Sequence, residues 1–415
     1  MKVEETGDER VLLNDSFGPI WTFLQYNGIL FDFCCPTKEN GLSYKTRFIY
    51  TVFVALIVWS YAALQSVHLI IGMWSTSSSE FDVCSLFGIV AATSAGIALY
   101  QYSIHWKKFQ QFFIDWKKVE IQCSEFSNSI KTKKVVRRLY MMYLIMLISS
   151  LMLFYYLNIN FPDWSIFFSY YPLISDTFNI YFISWVNTIN FYYIYIYYYL
   201  CEVIPALFFY HAGCLVENLV RMLYHTTTQL HSKHRHVVES TNSVSDVNIE
   251  IDVQYPNQKS FRLICNGYQT VIRFVNEVNN LFAVLIICSQ LRSFFMNCTL
   301  FYASFKCLVD SSALTSIVSF LFLTEILRTV FVNRLMSHLY LSRIELQDTL
   351  ADLLSTKWYL LSEKDREFLL VFQSRLNKGE VGACPFNLYT IKPTNLLSML
   401  SLIVTYTIAL IQTGT

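Results

Sequence analysis

Seven stretches of this chain are each apolar for close to the ~20 residues a helix needs to cross a bilayer. That repetition constrains the fold more than any other feature. The stretches run over about Phe48–Ile71, Val83–Ile104, Leu139–Leu157, Tyr181–Leu207, Asn280–Phe301, Ala313–Phe331 and Asn395–Thr413, numbered here as spans TM1 to TM7. A chain of 415 residues that is 54% hydrophobic and only 15% charged has too little polar surface to coat a soluble body. Backbone groups in hydrocarbon must be satisfied within their own segment. The expected class is therefore an all-α membrane protein with seven transmembrane helices. The net charge of +1 gives no electrostatic footprint for nucleic acid.

Loop charge sets the expected orientation, because Lys and Arg stay on the cytosolic side. The TM2–TM3 loop carries Lys107, Lys108, Lys117, Lys118, Lys131, Lys133, Lys134, Arg137 and Arg138. The TM4–TM5 and TM6–TM7 loops are also basic, with Arg221, Lys233 and Arg262 in one and Arg343, Lys357 and Arg375 in the other. The TM1–TM2 and TM3–TM4 loops carry no Lys or Arg, and the TM5–TM6 loop carries only Lys306. This places the N-terminus in the cytosol and the C-terminus outside. The opening residues MKVEETGDER have no apolar core, so TM1 is expected to target the chain.

The division along the chain follows. Residues 1–47 form a cytosolic N-terminal segment, and 48–331 hold TM1 to TM6 with a ligand-binding outer region. Residues 332–394 form cytosolic anchor helices, and 395–415 hold TM7. In the third part, Phe368, Phe372 and Leu376 repeat at helical spacing, and Ser362 with Asp365 has the pattern of a capping box. TM4 is expected to continue inward to about Tyr224. The polar stretch His231–Lys259, including STNSVSDVN, lacks periodicity and is expected to be disordered.

No enzyme motif is present: there is no HExxH, GxSxG or Walker loop, and nothing calls for a cofactor. The eleven Cys form no CxxC pair and no metal-ligand spacing, so no metal site is expected; Cys298 and Cys307 flank a short outer loop where they could pair. Ionisable groups inside a membrane mark functional sites by default. Glu202 falls in TM4, Arg292 in TM5, and Glu325 and Arg328 sit at i, i+3 near the inner end of TM6. Arg292 is expected either to face an outer aqueous pocket or to snorkel to the headgroups. Glu325–Arg328 reads as a structural bridge on one helix face. The aromatic block of TM4 offers a pocket wall, against the plainer reading of helix packing. The candidate ligand-binding residues are Tyr155, Tyr156, Trp185, Asn190, Tyr192, Arg292 and Phe320.

TM7 ends in TYTIALIQT. Its Ala409, Gln412 and Thr413 are spaced i, i+3 and i+4 and share one helix face, which suits a pore wall or a helix seam. This tail, with the seven spans and the inward N-terminus, resembles the insect gustatory receptor family, which is related to the odorant receptors. The family's last span carries Thr-Tyr, five residues, then Gln-Phe. Thr405, Tyr406 and Gln412 match, Thr413 stands in place of the Phe, and the preceding FNLYTIKPTNLLSMLS is similar too.

The resemblance implies a ligand-gated, nonselective cation channel in the plasma membrane of gustatory neuron dendrites. It implies a homo- or heterotetramer with other gustatory receptors, in which TM7 of each subunit lines a central pore. A small-molecule tastant would bind an outer pocket among TM2 to TM6, and cations would pass Ala409, Gln412 and Thr413 at the gate. The outer halves of the spans are rich in aromatic groups and poor in carboxylates, which favours a bitter or plant secondary compound over a sugar. A sugar receptor of the same family, a G-protein-coupled receptor and a transporter are the alternatives.

Overall fold

The computed structural model describes residues 41–74, 79–116 except 106, 110 and 113, helical positions scattered through 134–159, and 180–241, 257–309, 315–378 and 381–413. Among the described residues there is no β-strand. Seven longer helices carry labels: α1 (Gly41–Trp74), α2 (Ser79–Ile104), α3 (Ile180–Thr241), α4 (Asn257–Val309), α5 (Thr315–Thr356), α6 (Glu363–Asn377) and α7 (Pro393–Thr413). TM1, TM2, TM4, TM5 and TM7 lie within α1, α2, α3, α4 and α7 respectively, and TM6 from Thr315 onward lies within α5.

Helix length is the first architectural fact. At 1.5 Å per residue, the 62 residues of α3 reach about 93 Å, the 53 of α4 about 80 Å and the 42 of α5 about 63 Å. Each exceeds the ~30 Å hydrocarbon layer by tens of ångströms. These spans therefore continue without a break into a helical bundle at one end of the molecule. The helix persists through Pro205, where the missing N–H and the ring remove one ladder bond. It also persists past His231, so the expected disorder is corrected at its edges: His231–Thr241 is helical, and α4 already begins at Asn257. The helix there runs on directly from the part of α3 that buries Leu223 and Leu230. Residues 242–256 lie outside the described part.

The most extensive packing joins α3 to α5, with α4 against both. Gly213 permits the close approach: a Cβ there would stand 2.6 Å from His338 Cδ2 and 3.0 Å from the Leu339 backbone nitrogen. His338 stacks on Tyr210 with centroids 4.8 Å apart. Burial lowers its pKa from the ordinary imidazole value, against the opposing pull of Glu217.

The segment after α2 contributes an unexpected part of the core. Phe109, Phe112 and Trp116 are buried. Phe112 meets Phe208 at 5.1 Å, and Trp116 meets Phe274 at 3.9 Å between centroids. Their i, i+3, i+7 spacing is one helix face inside what reads as a basic loop.

The expected N-cap forms: the Ser362 hydroxyl accepts from Asp365 N at 3.2 Å, donates to the Asp365 carboxylate at 2.7 Å and starts α6. α6 buries Leu369, Phe372 and Leu376. One side chain of α4 ties down the linker to α7 with two hydrogen bonds. Asn279 of α4 donates to Gly382 O at 2.9 Å and accepts from Cys384 N at 2.7 Å. Phe386 and Asn387 then turn the chain with positive φ, 51° and 56°, and Pro393 opens α7 at a position where no amide hydrogen is needed.

A belt of large apolar side chains faces outward. Phe53 and Leu56 on α1, Leu291 and Phe295 on α4, Leu323 and Leu327 on α5 and Leu402 and Tyr406 on α7 are all exposed. Among the described residues, two stretches, Glu202–Ser232 and Ser260–Phe305, are long and apolar enough to cross a membrane, and three shorter apolar stretches accompany them. So much exposed apolar surface is a liability in water and natural in lipid. Cys298 is a buried thiol rather than half of a disulfide; Cys307 lies outside the described side chains.

Candidate functional site

Two features stand out: a buried charge cluster where three helices meet, and the surface of α7.

The charge cluster is built from one residue of α3, several of α4 and three of α5. Glu202, Arg292 and Arg328 are each 1% exposed and Glu325 is 7% exposed, so the charges are withdrawn from water together. Glu202 forms salt bridges with both Arg292 and Arg328. Arg328 also pairs with Glu325 through Nε at 2.9 Å. Ser289 and Ser293 donate to Glu202 Oε1 at 2.7 and 3.0 Å. Arg328 donates to the Ser293 hydroxyl at 3.1 Å, and Asn297 donates to the Thr329 hydroxyl at 3.1 Å. Two guanidinium and two carboxylate groups cancel in charge. A charge buried in a low-dielectric interior survives only when paired and hydrogen-bonded in this way.

This geometry corrects the reading of Arg292. The side chain neither faces an outer pocket nor reaches the headgroups; it is committed to Glu202. The reason is energetic: an isolated arginine inside apolar helices is expensive, and a carboxylate on the facing helix is the least costly partner. The Glu325–Arg328 bridge forms on one helix as expected, and it is half of this interior cluster. Sequence spacing links only residues of one helix, so the junction of Glu202 with Arg292 and Arg328 was invisible to it. The signal that was available is arithmetic: two Glu and two Arg in three otherwise apolar spans.

The aromatic candidates are only partly assembled. Tyr155 meets Trp185 edge to face, with centroids 6.4 Å apart. Tyr192 is half-buried beside Tyr193, and Tyr193 shares a 2.7 Å hydrogen bond with Tyr50 of α1. Tyr156, Trp185 and Phe320 are 51%, 60% and 51% exposed, so they present faces outward rather than closing a cavity within one chain. The Asn190 side chain lies outside the described part. A cavity of about 540 Å³ opens elsewhere, where the end of α2 and the segment after it meet α4, and is lined by Gln101, His105, Lys108, Asp115, Glu277 and Asn280 among others.

α7 is attached along a single edge. Ile403 and Thr407 are its buried residues among those described, packed toward α4, and Tyr406 meets Phe294 at 5.5 Å. Ser398, Ser401, Thr405, Ala409 and Gln412 are all exposed. At 3.6 residues per turn they fall within an arc of about 80° whose centre lies about 180° from the midpoint of Ile403 and Thr407. The small and polar stripe thus points directly away from the body of the subunit. Leu402 and Tyr406 flank it on one side, and Val404 and Ile408 on the other, all four exposed. Sequence spacing placed Ala409 and Gln412 on this face; the structure extends it toward the start of the helix through Thr405, Ser401 and Ser398. The Thr413 side chain lies outside the described part.

With this arrangement in hand, comparison with solved structures is informative. The insect olfactory receptor OR5 from Machilis hrabei matches with a TM-score of 0.68, covering 98% of this chain and 100% of that chain. The chain has the fold of an insect olfactory receptor. The same receptor in complex with eugenol matches with a TM-score of 0.65. Sequence identity is 13% in both cases, so the likeness is one of fold. No protein-family model and no curated protein matches the chain.

Proposed function

We propose that the chain is one subunit of an insect chemoreceptor, a ligand-gated nonselective cation channel of the plasma membrane opened by a small molecule. The observation that carries this reading is α7: a helix fixed by one edge, with its small and polar residues on the opposite side. Copies of such a helix around a symmetry axis would enclose a hydrated path, with Gln412, Ala409 and Thr405 toward it and the apolar flanks sealing against neighbours. Polar rings keep a path wet, and apolar rings close it by dewetting. In this reading Gln412 and Thr413 stand at the outer gate and Ile408 beside it. The assembly is a tetramer with seven spans per subunit, the N-terminus inside and the C-terminus outside.

Within this class the gustatory branch is the finer reading. It rests on Thr405, Tyr406 and Gln412, which match that family's terminal motif. The ligand is a bitter or plant-derived aromatic compound rather than a sugar. A sugar site needs several hydrogen-bonding groups and is helped by a carboxylate. Glu202, Glu325, Arg292 and Arg328 neutralise one another in the cluster, which removes them from ligand binding. Tyr155, Tyr156, Trp185, Asn190, Tyr192 and Phe320 remain as contacts of the tastant. Ligand binds the open-competent arrangement better than the closed one and shifts the equilibrium by that difference.

The test is to record currents from cells expressing this chain alone while applying bitter compounds and sugars. Ligand-evoked cation currents that persist when G-protein signalling is blocked support the channel. Uptake of label without channel currents points to a transporter. An N-terminal tag reached by antibody on intact cells overturns the orientation.

A further inference from the structure

Where α3 and α5 approach at Gly213, three side chains with metal-binding atoms converge. Cys214 and Glu217 are spaced i, i+3 on α3 and so lie on one face, and His338 faces them from α5. His338 Nε2 is 3.4 Å from Glu217 Oε1 and 3.9 Å from Cys214 Sγ, and all three ligand atoms lie within 4.8 Å of one another. We propose that Cys214, Glu217 and His338 form a site for one borderline-soft divalent metal ion, with zinc as the best fit, that clamps α3 to α5.

The spacing supports this directly. With bond lengths of about 2.3 Å to sulfur, 2.0–2.1 Å to nitrogen and 2.0–2.2 Å to oxygen, a tetrahedral centre separates N from O by about 3.4 Å, N from S by about 3.5 Å and S from O by about 3.6 Å. The observed N···O separation already has the tetrahedral value; N···S closes from 3.9 Å by about 0.4 Å and S···O by at most about 1.2 Å, within reach of side-chain rotation. The ligand set decides the metal. Thiolate and imidazole select zinc over magnesium or calcium, which take oxygen donors. Three protein ligands leave a fourth position for water or another small ligand.

Access and support are also present. The side chains of His338 and Glu217 are 22% and 32% exposed, so an ion can reach them from outside the helix pair. Tyr210, one turn before Cys214, stacks on the imidazole at an interplanar angle of 25° and fixes the ring plane. A metal held across two helices favours the folded arrangement, because the ligands come together only there. This site does not depend on the channel reading.

The experiment uses the full chain, purified metal-free in detergent and titrated with Co²⁺ alone. The expected result is a thiolate-to-cobalt charge-transfer band that saturates at one equivalent, is bleached by Zn²⁺, and is absent from Cys214→Ser. Glu217→Gln, which removes a direct carboxylate ligand at a half-buried position, weakens binding by at least the roughly 10–100-fold that loss of an outer-shell partner costs. A second measurement needs no variant: Zn²⁺ slows alkylation of Cys214, followed by mass spectrometry, by roughly tenfold or more if the thiolate is bound. An ordinary hydrogen-bonded cluster gives no charge-transfer band and equal alkylation rates with and without Zn²⁺. Either result overturns the proposal, as does an unchanged band in Cys214→Ser.

Discussion

Glu202 on α3 and Arg292 on α4 form a salt bridge in which both side chains are essentially closed to solvent. Neither charge is tolerable there alone. Arg328 closes the other side of the same carboxylate, so Glu202 is the hub that lets two arginines occupy the interior.

Replacing the hub therefore has a large cost. Glu202→Gln leaves Arg292 and Arg328 with Glu325 as the remaining carboxylate of the cluster, and loss of one partner of a buried pair costs about 3–5 kcal/mol. A thermal-unfolding midpoint of detergent-solubilised protein should fall clearly. The double variant Glu202→Gln with Arg292→Met should recover part of the loss. A double variant no better than the sum of the singles would show that the two residues are not coupled.

Gln412→Leu should alter conductance or basal leak while leaving surface expression intact. Cysteines placed at Ser401 and Thr405 should react with a membrane-impermeant thiol reagent and block current. One placed at Ile403, on the buried edge, should not. Equal reactivity at Thr405 and Ile403 would remove α7 from the ion path.

The Asn279 amide holds the linker before α7 with two hydrogen bonds. Asn279→Leu strands Gly382 O and Cys384 N, at about 1–3 kcal/mol for each group left buried without a partner. Limited proteolysis between residues 378 and 392 should accelerate. Asn279→Asp, which keeps the acceptor and loses the donor, should fall between the two.

Gly213→Ala presses a methyl group onto His338 and the Leu339 backbone. Overpacking of this kind costs about 1–3 kcal/mol, and because backbone is involved the helices themselves must part. A lower unfolding midpoint is expected. An unchanged midpoint would mean that α3 and α5 separate freely.

Legibility differed by scale. Spans and capping depend on neighbours a few residues apart, so α2 and α7 end where the apolar runs end, and Ser362 starts α6 as its spacing requires. The segment with Phe109, Phe112 and Trp116 reads as a basic loop because its lysines dominate composition, while its aromatic face is recognisable only against Phe208 and Phe274. Residues 231–241 read as disordered because polarity is a local property, whereas the helix there continues the long α3 that packs before it.

The sequence by itself determined that this chain is helical and apolar enough to live in a membrane, and where its polar C-terminal face lies. Those properties follow from hydrophobicity and helical periodicity, which are written residue by residue. Only the tertiary structure decided that Arg292 belongs to Glu202, that His338 meets Cys214 and Glu217, and that the stripe from Ser398 to Gln412 faces away from its own subunit. Each depends on which helices lie side by side. That is set by packing across more than a hundred residues of chain in the His338–Cys214 case, and no local pattern encodes it.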